Sequence, residues 1–167
     1  ENEKDVEKLK FDQFAQVSYV TQTTLSVDDT KSIIKQIKKK FPKVLEPKKN
    51  DICYATTNRQ EAVKKIALKC DVFIVIGAKN SSNSLRLVEV AKQYGAKKSI
   101  LVEQVEKFDL NLLNEIKSLG ITASASAPEA IVQNFIKIIK NNFIVKLYQE
   151  DYEKEDIVFK IPHQIKN

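Results

Sequence analysis

Apolar and polar positions along the chain predict strands that alternate with helices. The run Val72–Ile76 is apolar throughout, rich in β-branched residues and followed by Gly77. Such a run is typical of a strand buried on both faces of a parallel sheet. Shorter apolar runs at 16–20, 99–102 and 121–123 predict further strands on either side of it.

Between these runs, apolar residues recur at helical spacing, and this recurrence predicts helices. Ser26 with Asp29 is a typical helix start, Gly95 is a typical helix end, and residues 126–129 resemble a capping box with Pro128 in the first turn. Strands and helices in this order predict an α/β fold, in which helices cover a parallel sheet with right-handed crossovers. The predicted helices cover residues 27–41, 58–69, 84–94, 109–119 and 126–142.

The pattern changes after residue 142. Two short alternating stretches, 144–148 and 157–161, flank acidic residues over 150–156. They predict a C-terminal tail that folds as an edge hairpin. His163 follows them in a polar terminal segment, where we expect it at the surface.

The supply of reactive residues excludes several classes of protein. The 167 residues include one histidine, two cysteines (Cys53 and Cys70), and neither methionine nor tryptophan. Two cysteines are too few for the disulfide framework of a secreted protein, and one histidine cannot form a histidine-rich metal site. No apolar run approaches the roughly 18 residues of a membrane span. Because a native chain starts with methionine, we expect Glu1 to be an internal or processed start.

The net charge of +6 comes from lysine, since Arg59 and Arg86 are the two arginines. Proteins that recognise bases favour arginine for bidentate contacts, and binders of single strands need aromatic platforms. The composition therefore argues against a nucleic-acid partner. The lysines of the densest basic run, 35–49, either face solvent or attract an anionic ligand.

Small polar side chains follow three of the predicted strands. They occupy residues 21–24, 80–84 and 124–126, each directly before a predicted helix. Ligands of open α/β sheets bind at the carboxyl ends of strands, where helix N-termini offer free N–H groups to phosphate oxygens. Each junction alone is explained by ordinary helix capping, but the surplus of polar residues at 80–84 favours a phosphate or diphosphate site. Lys79 either adds charge there or is solvated.

The two cysteines have different surroundings in the sequence. Cys53 lies in a loop just before a predicted helix. A helix N-terminus lowers the pKa of a thiol, so Cys53 is a candidate thiolate ligand or nucleophile, with an inert buried thiol as the alternative. Cys70 ends a helical pattern before the central strand, and we expect it to pack in the core.

Four segments, taken together, resemble the 4-hydroxy-3-methylbut-2-enyl diphosphate reductase family. They are residues 21–30, 51–60, 77–84 and 123–128, and they occur in the family's order and at its spacing. The resemblance implies the last step of the non-mevalonate isoprenoid pathway, in which an allylic diphosphate loses its hydroxyl reductively to give isopentenyl and dimethylallyl diphosphates. It also implies an electron donor such as ferredoxin or flavodoxin.

The resemblance further implies roles for individual residues. Cys53 matches one of three cysteine ligands of a 4Fe–4S cluster. Thr23 matches the threonine beside the substrate and its proton donor, and Thr24 is its neighbour. The residues that match those holding the diphosphate are Ser81, Ser82, Asn83 and Ser126.

Parts of the family's pattern are not found in this chain. The other two cluster cysteines, the substrate histidines and the glutamate proton donor belong to an N-terminal half of the enzyme. The resemblance therefore implies that residues 1–49 are the latter part of a second α/β domain, 50–142 a third domain and 143–167 a tail. On this view the chain alone is inactive, and the whole enzyme is expected in a bacterial cytoplasm or a plastid-type organelle. The alternative is a standalone α/β module that binds a phosphate ligand without redox activity.

Overall fold

The structure is a computed structural model that describes residues 2–12, 16–47 and 51–148. Its centre is a three-stranded parallel sheet, which confirms the predicted α/β architecture. Two short 3-10 helices, Val105–Lys107 and Leu110–Leu113, lie between the second and third strands. In chain order the other elements are α1 (Glu3–Lys8), α2 (Val27–Lys40), α3 (Tyr54–Ala67), β1 (Val72–Ile76), α4 (Ser82–Gln93), β2 (Lys98–Val102), β3 (Leu119–Ala123) and α5 (Glu129–Asn142).

Strand β1 lies in the middle of the sheet, between β2 and β3. Its five side chains are all buried, because helices cover both faces of the sheet. Phe73 and Val75 pack against residues of α3 and α4, whereas Ile74 and Ile76 pack against residues of α5. The three strands run in register and end together, with Ile76 opposite Val102 and Ala123. The loops that follow β1 and β3 therefore emerge side by side.

Two helix-end signals predicted from the sequence are confirmed. The Ser26 hydroxyl accepts a hydrogen bond of 3.2 Å from the backbone N–H of Asp29 at the start of α2. Gly95 ends α4 with a φ of 97°, a left-handed conformation that glycine adopts without steric cost. A Cβ atom at Gly95 would also lie 2.7 Å from Leu68 Cδ1.

The predicted strand over 16–20 is wrong. This segment makes a single parallel bridge, between Ser18 and Leu45, with a hydrogen bond of 2.8 Å from Leu45 N–H to Val17 carbonyl. A strand needs a partner along its length, and within the described residues this segment is paired at one position. An apolar run in the sequence does not by itself show that a second strand lies beside it.

The predicted helix over 109–119 is also wrong, because Asp71 holds the backbone of its second half in a non-helical turn. The Asp71 carboxylate accepts hydrogen bonds from Lys117 N–H at 2.9 Å and from Ser118 N–H at 3.2 Å. The Lys97 ammonium, 2.6 Å away, and these backbone groups hold the pKa of Asp71 well below its usual range. The chain forms one 3-10 turn and then enters β3 at Leu119.

Other elements also differ from the sequence predictions. Helix α3 begins at Tyr54 rather than at 58, directly after Cys53. Helix α5 begins at Glu129, with Pro128 as its N-cap and no side-chain capping bond, so the predicted capping box is wrong. Residues 144–148 form no strand, and the rest of the predicted tail, 150–156, 157–161 and His163, lies outside the described residues.

Among the helices of the described chain, none has the length and apolarity needed to cross a membrane.

The ion pair and the hydrogen bond of Asp28 attach helix α2 to α3 and to the end of α4. The Asp28 carboxylate lies 2.7 Å from Lys64 Nζ and accepts a hydrogen bond of 2.5 Å from the Tyr94 hydroxyl. These two partners hold the pKa of Asp28 below its ordinary value. Burial alone would lower the pKa of Lys64, but the carboxylates of Asp28 and Glu61 raise it overall. These contacts therefore favour the charged forms of Asp28 and Lys64.

We expect Asp28 to contribute to acid unfolding of the chain. A carboxyl group whose pKa is depressed on folding stabilises the fold above its unfolded value, about 3.9, and this contribution is lost as the pH falls through the folded pKa. Asp28→Asn should lower the free energy of unfolding near neutral pH and flatten its decline below about pH 5. Urea unfolding across pH measures both effects. Glu115→Gln removes an exposed carboxylate and should show the same pH dependence as the wild type. If the free energy of unfolding of Asp28→Asn fell at low pH as steeply as that of the wild type, the account would be contradicted.

Candidate functional site

The site begins at Gly77, the residue that follows β1. A Cβ atom at this position would lie 2.2 Å from Ser84 Oγ and 3.0 Å from Ser124 Oγ. The absence of a side chain therefore lets two hydroxyl groups approach the backbone at the carboxyl end of the central strand. These hydroxyls come from the start of α4 and from the loop after β3.

The first turn of α4 carries buried polar groups that have no partner among the described residues. Ser81 is an ordinary N-cap, because its hydroxyl accepts a hydrogen bond of 3.3 Å from Ser84 N–H. Asn83 is 7% exposed and Ser84 is 0% exposed, and within the described chain Asn83 Oδ1, Asn83 Nδ2 and Ser84 Oγ make no hydrogen bond. A buried unsatisfied polar group costs about 1–3 kcal/mol. Capping explains Ser81, but it does not explain Asn83 and Ser84.

The loop after β3 adds two more hydroxyl groups to the same place. Ser124 is buried, and its backbone N–H donates to the carbonyl of Ile76 at 2.9 Å. Its Oγ lies 3.4 Å from Oγ of Ser126, which is exposed. The second and third polar junctions predicted from the sequence therefore meet. We call residues 81–84 with Ser124 and Ser126 the polar cluster.

The loop that carries Thr23 and Thr24 lies against Cys53. The backbone N–H of Cys53 donates to the Thr23 carbonyl at 3.2 Å, and the N–H of Thr21 donates to the Asp51 carboxylate at 2.9 Å. Cys53 is exposed and is the N-cap residue of α3, where its side chain makes no capping bond. Cys53 thus lies exposed at a helix N-terminus and is not a buried thiol.

A cleft of about 230 Å³ joins this loop to the polar cluster. Thr24 lies on one wall and Ser82, the first residue of α4, on the other. Arg86 also lines the cleft, with its guanidinium 2.7 Å from Glu89 and 3.6 Å from Asp29. The remaining lining residues are Gln22, Leu25, Leu85 and Glu89. Thr24 and Ser82 are thus the predicted site residues that line the cleft, whereas Thr23 and Cys53 contact each other through their backbones.

Two other residues considered from the sequence lie apart from this arrangement. Lys79 makes an ion pair of 3.2 Å with Glu103, so its charge is already balanced. Cys70 is buried, its thiol donates to the Ile66 carbonyl at 3.2 Å, and burial raises the pKa of that thiol. The expected core position of Cys70 is confirmed.

A second cleft, of about 470 Å³, lies at the opposite end of the sheet. Its walls include the lysines at the start of β2, Lys97 and Lys98, together with Asp71. The Asp71 carboxylate lies 2.6 Å from Lys97 Nζ. Two lysines and two carboxylates, Asp71 and Glu115, line this second cleft. It lies at the amino ends of the strands, away from Cys53 and the polar cluster.

Comparison with known proteins decides the family. The family model described as "LytB protein" matches residues 1–140 of the chain. The chain belongs to the LytB family. Two relatives are named 4-hydroxy-3-methylbut-2-enyl diphosphate reductase. The one from Wigglesworthia glossinidia brevipalpis is 49% identical over 161 residues, which is 95% of this chain and 50% of the relative. The one from Ehrlichia ruminantium (strain Gardel) is 45% identical over 166 residues, 99% of this chain and 50% of the relative.

A solved LytB-like structure shows the same fold. It is the E-1-hydroxy-2-methyl-but-2-enyl-4-diphosphate reductase from Plasmodium falciparum, which this chain matches with a TM-score of 0.82 and 36% identity. The match covers 98% of this chain and 52% of that structure. This LytB chain therefore spans about half the length of the relatives and of the structure that it matches.

Three residues at the candidate site of this LytB chain match none of the family's site residues. Ser84 and Ser124 lie within the polar junctions after β1 and β3, and Gly77 follows the central strand. The signal that points to them is the surplus of small polar residues at each junction, beyond the one that a helix cap needs.

We expect Gly77→Ala to destabilise this LytB chain by about 1–3 kcal/mol, because the new methyl group overpacks the site. The nearest atom, Ser84 Oγ, would be only 2.2 Å from the added carbon. Combining it with Ser84→Ala removes that contact but leaves Ser84 Cβ at 2.9 Å, so the double variant should recover part of the loss. Urea unfolding of the four chains forms a double-mutant cycle. An unchanged free energy of unfolding in Gly77→Ala would contradict the close approach.

Proposed function

We propose that this chain is the C-terminal portion of a reductase that removes the hydroxyl of 4-hydroxy-3-methylbut-2-enyl diphosphate and releases isopentenyl and dimethylallyl diphosphates. The observation that carries the proposal is the set of unpaired buried groups on Asn83 and Ser84, beside Gly77 at the start of α4. Membership of the LytB family and the names of the relatives supply the substrate.

The polar cluster would hold the diphosphate. Asn83 Nδ2 and the hydroxyls of Ser84 and Ser126 are neutral donors, and the N-terminus of α4 adds free backbone N–H groups and the positive end of the helix dipole. Together they stabilise phosphate oxygens without a cluster of arginines. Ser81 and Ser82 complete the wall at the helix start, where Ser82 borders the cleft.

Cys53 has the properties that a ligand of an iron–sulfur cluster requires. Cys53 is exposed, and at the N-terminus of α3 its side chain makes no capping bond. The described residues contain no group of three or more His, Cys, Asp or Glu side chains placed to bind a metal. We therefore propose that Cys53 supplies one ligand and that the others come from outside the described chain. The 4Fe–4S cluster would supply electrons and an iron that accepts the hydroxyl oxygen of the substrate.

Thr23 and Thr24 would position the reacting end of the substrate. The Thr23 carbonyl is bonded to Cys53 N–H, so this residue is held beside the thiol. We assign the Thr23 hydroxyl as the hydrogen-bond donor to the substrate's hydroxyl oxygen, which helps that oxygen to leave with a proton. The diphosphate, bound in the polar cluster across the cleft, anchors the substrate and so lowers the entropic cost of alignment.

The wider assignments follow from the same proposal. Residues 1–49 would belong to a second α/β domain, 50–142 to a third and 143–167 to a tail. The electron donor would be a protein such as ferredoxin or flavodoxin. The location would be a bacterial cytoplasm, with a plastid-type organelle as the alternative.

The test uses a chimera, in which this chain replaces the matching half of the Ehrlichia ruminantium relative. The chimera is purified anaerobically, loaded with iron and sulfide, and assayed with reduced dye and the allylic diphosphate. We expect both isoprenoid diphosphates as products, and none from the chain alone. A folded chimera that binds iron and sulfide yet makes no product would contradict the proposal. Tight binding of inorganic diphosphate by the chain alone would then favour a standalone binding module.

A further inference from the structure

Gln60 is a fully buried polar residue on α3 whose side chain uses both ends of its amide. It is 0% exposed. Its Nε2 donates to the Leu25 carbonyl at 2.9 Å, and its Oε1 accepts from the Val27 N–H at 3.1 Å. Both bonds reach a segment more than thirty residues away in sequence. A buried amide satisfied in this way fixes the two segments relative to each other.

The segment that Gln60 holds is the continuation of the threonine loop. Leu25 follows Thr24 directly, and Val27 is the first residue of α2. Gln60 itself lies about two turns along the helix that starts after Cys53, which corresponds to about 10 Å at 1.5 Å per residue. The same two segments also meet at the N-terminus of α3, where Cys53 N–H donates to the Thr23 carbonyl.

Two separated attachments restrain a segment far more than one. Before and at Thr23, the loop is held by the bond from Thr21 N–H to Asp51 and by the bond from Cys53 N–H to the Thr23 carbonyl. After Thr23, the paired bonds of Gln60 hold the backbone to α3, next to the ion pair of Asp28 with Lys64. Attachments on both sides of Thr23 limit how far its backbone can move from Cys53.

We propose that Gln60 is a positioning residue, which holds the Thr23 side chain at a fixed distance from the Cys53 ligand. It touches neither the substrate nor the cluster. This inference rests on the proposed function of Thr23 and Cys53. It adds that correct alignment of the reacting oxygen depends on a buried amide about two helical turns from Cys53.

The chemistry of the amide makes the inference testable by small changes. Gln60→Glu has the same length and shape, but its carboxyl group, once ionised, offers no donor and repels the Leu25 carbonyl. Gln60→Met keeps the length and apolar stem and loses both bonds. Gln93→Glu, at the exposed end of α4, makes the same chemical change where no such contact exists, and it is the matched control.

The experiment measures kcat, KM and the electron paramagnetic resonance of the reduced chimera with and without substrate. We expect both Gln60 variants to lose about ten- to hundredfold in kcat. KM should be nearly unchanged, because the polar cluster still binds the diphosphate. The change that substrate causes in the resonance spectrum should be weakened, and Gln93→Glu should match the wild type.

Three outcomes would overturn this inference. The first is a wild-type kcat in either Gln60 variant. The second is a lower kcat together with a higher KM and a lower cluster content. The third is failure of both variants to fold. Either of these would mean that Gln60 stabilises the fold and has no separate positioning role. If the unaltered chimera turns over, such outcomes reject the role of Gln60 and leave the proposed function standing. If the unaltered chimera makes no product, the proposed function fails first.

Discussion

We expect Cys53→Ser to abolish cluster binding and turnover in the chimera. Cys53 is the accessible cysteine of the described chain, whereas Cys70 is buried. A serine hydroxyl is a far poorer ligand for iron than a thiolate, because it stays protonated near neutral pH. The backbone bond from residue 53 to Thr23 does not involve the side chain, so the fold should survive the change.

The measurement is iron and sulfide content with visible absorbance, followed by turnover. Cys70→Ala is the matched control, since it removes the other thiol from the core and should leave cluster content and turnover at wild-type levels. A Cys53→Ser chimera that retains its cluster and its activity would rule out the ligand role of Cys53. Loss of the cluster in both variants would show that the effect is not specific to residue 53.

We expect Asn83→Leu to make the chain more stable while the chimera loses its affinity for diphosphate. Leucine has the same branched skeleton as asparagine but no polar atoms. In the absence of ligand, the buried Asn83 amide has neither donor nor acceptor satisfied. Removing such a group should raise the free energy of unfolding by about 1–3 kcal/mol. The same change removes a hydrogen bond to a charged ligand, which is worth about 1.5–3 kcal/mol and so at least tenfold in affinity.

A rise in stability together with a loss of affinity distinguishes a ligand site from a core that contains unsatisfied polar groups for no functional reason. Urea unfolding of the chain gives the stability, and calorimetric titration of inorganic diphosphate into the chimera gives the affinity. Ser99→Ala is the matched control, because Ser99 Oγ on β2 is also buried without a partner but lies outside the polar cluster. It should leave the affinity unchanged. An Asn83→Leu chimera with wild-type affinity would contradict the assignment of Asn83.

The sheet could be predicted because its central strand carries the information locally. Five consecutive apolar residues in β1 require cover on both faces, and that requirement alone implies a parallel sheet with helices. The wrong elements depend on partners distant in sequence. Whether 16–20 forms a strand depends on a neighbour, and whether 109–119 forms a helix depends on Asp71, which lies more than forty residues away.

The place of the candidate site could be outlined from local sequence as well. Surplus polar residues after β1 and β3 indicate a candidate anion site, but a cap such as Ser81 and a buried group such as Ser84 look alike in sequence. Their difference is burial, which only the packing around Gly77 defines. The contact between Cys53 and Thr23, and the double attachment made by Gln60, join residues that no local pattern connects.

The most direct test is an anaerobic crystal structure of the chimera with the allylic diphosphate bound. The central claim is that the unpaired groups at the start of α4 are reserved for the diphosphate and that Cys53 faces its reacting end. We predict diphosphate oxygens within hydrogen-bonding distance of Asn83 Nδ2 and the hydroxyls of Ser84 and Ser126, with the allylic oxygen between Thr23 and Cys53. A diphosphate bound instead beside Lys97 and Lys98, with Asn83 still unpaired, would contradict the account.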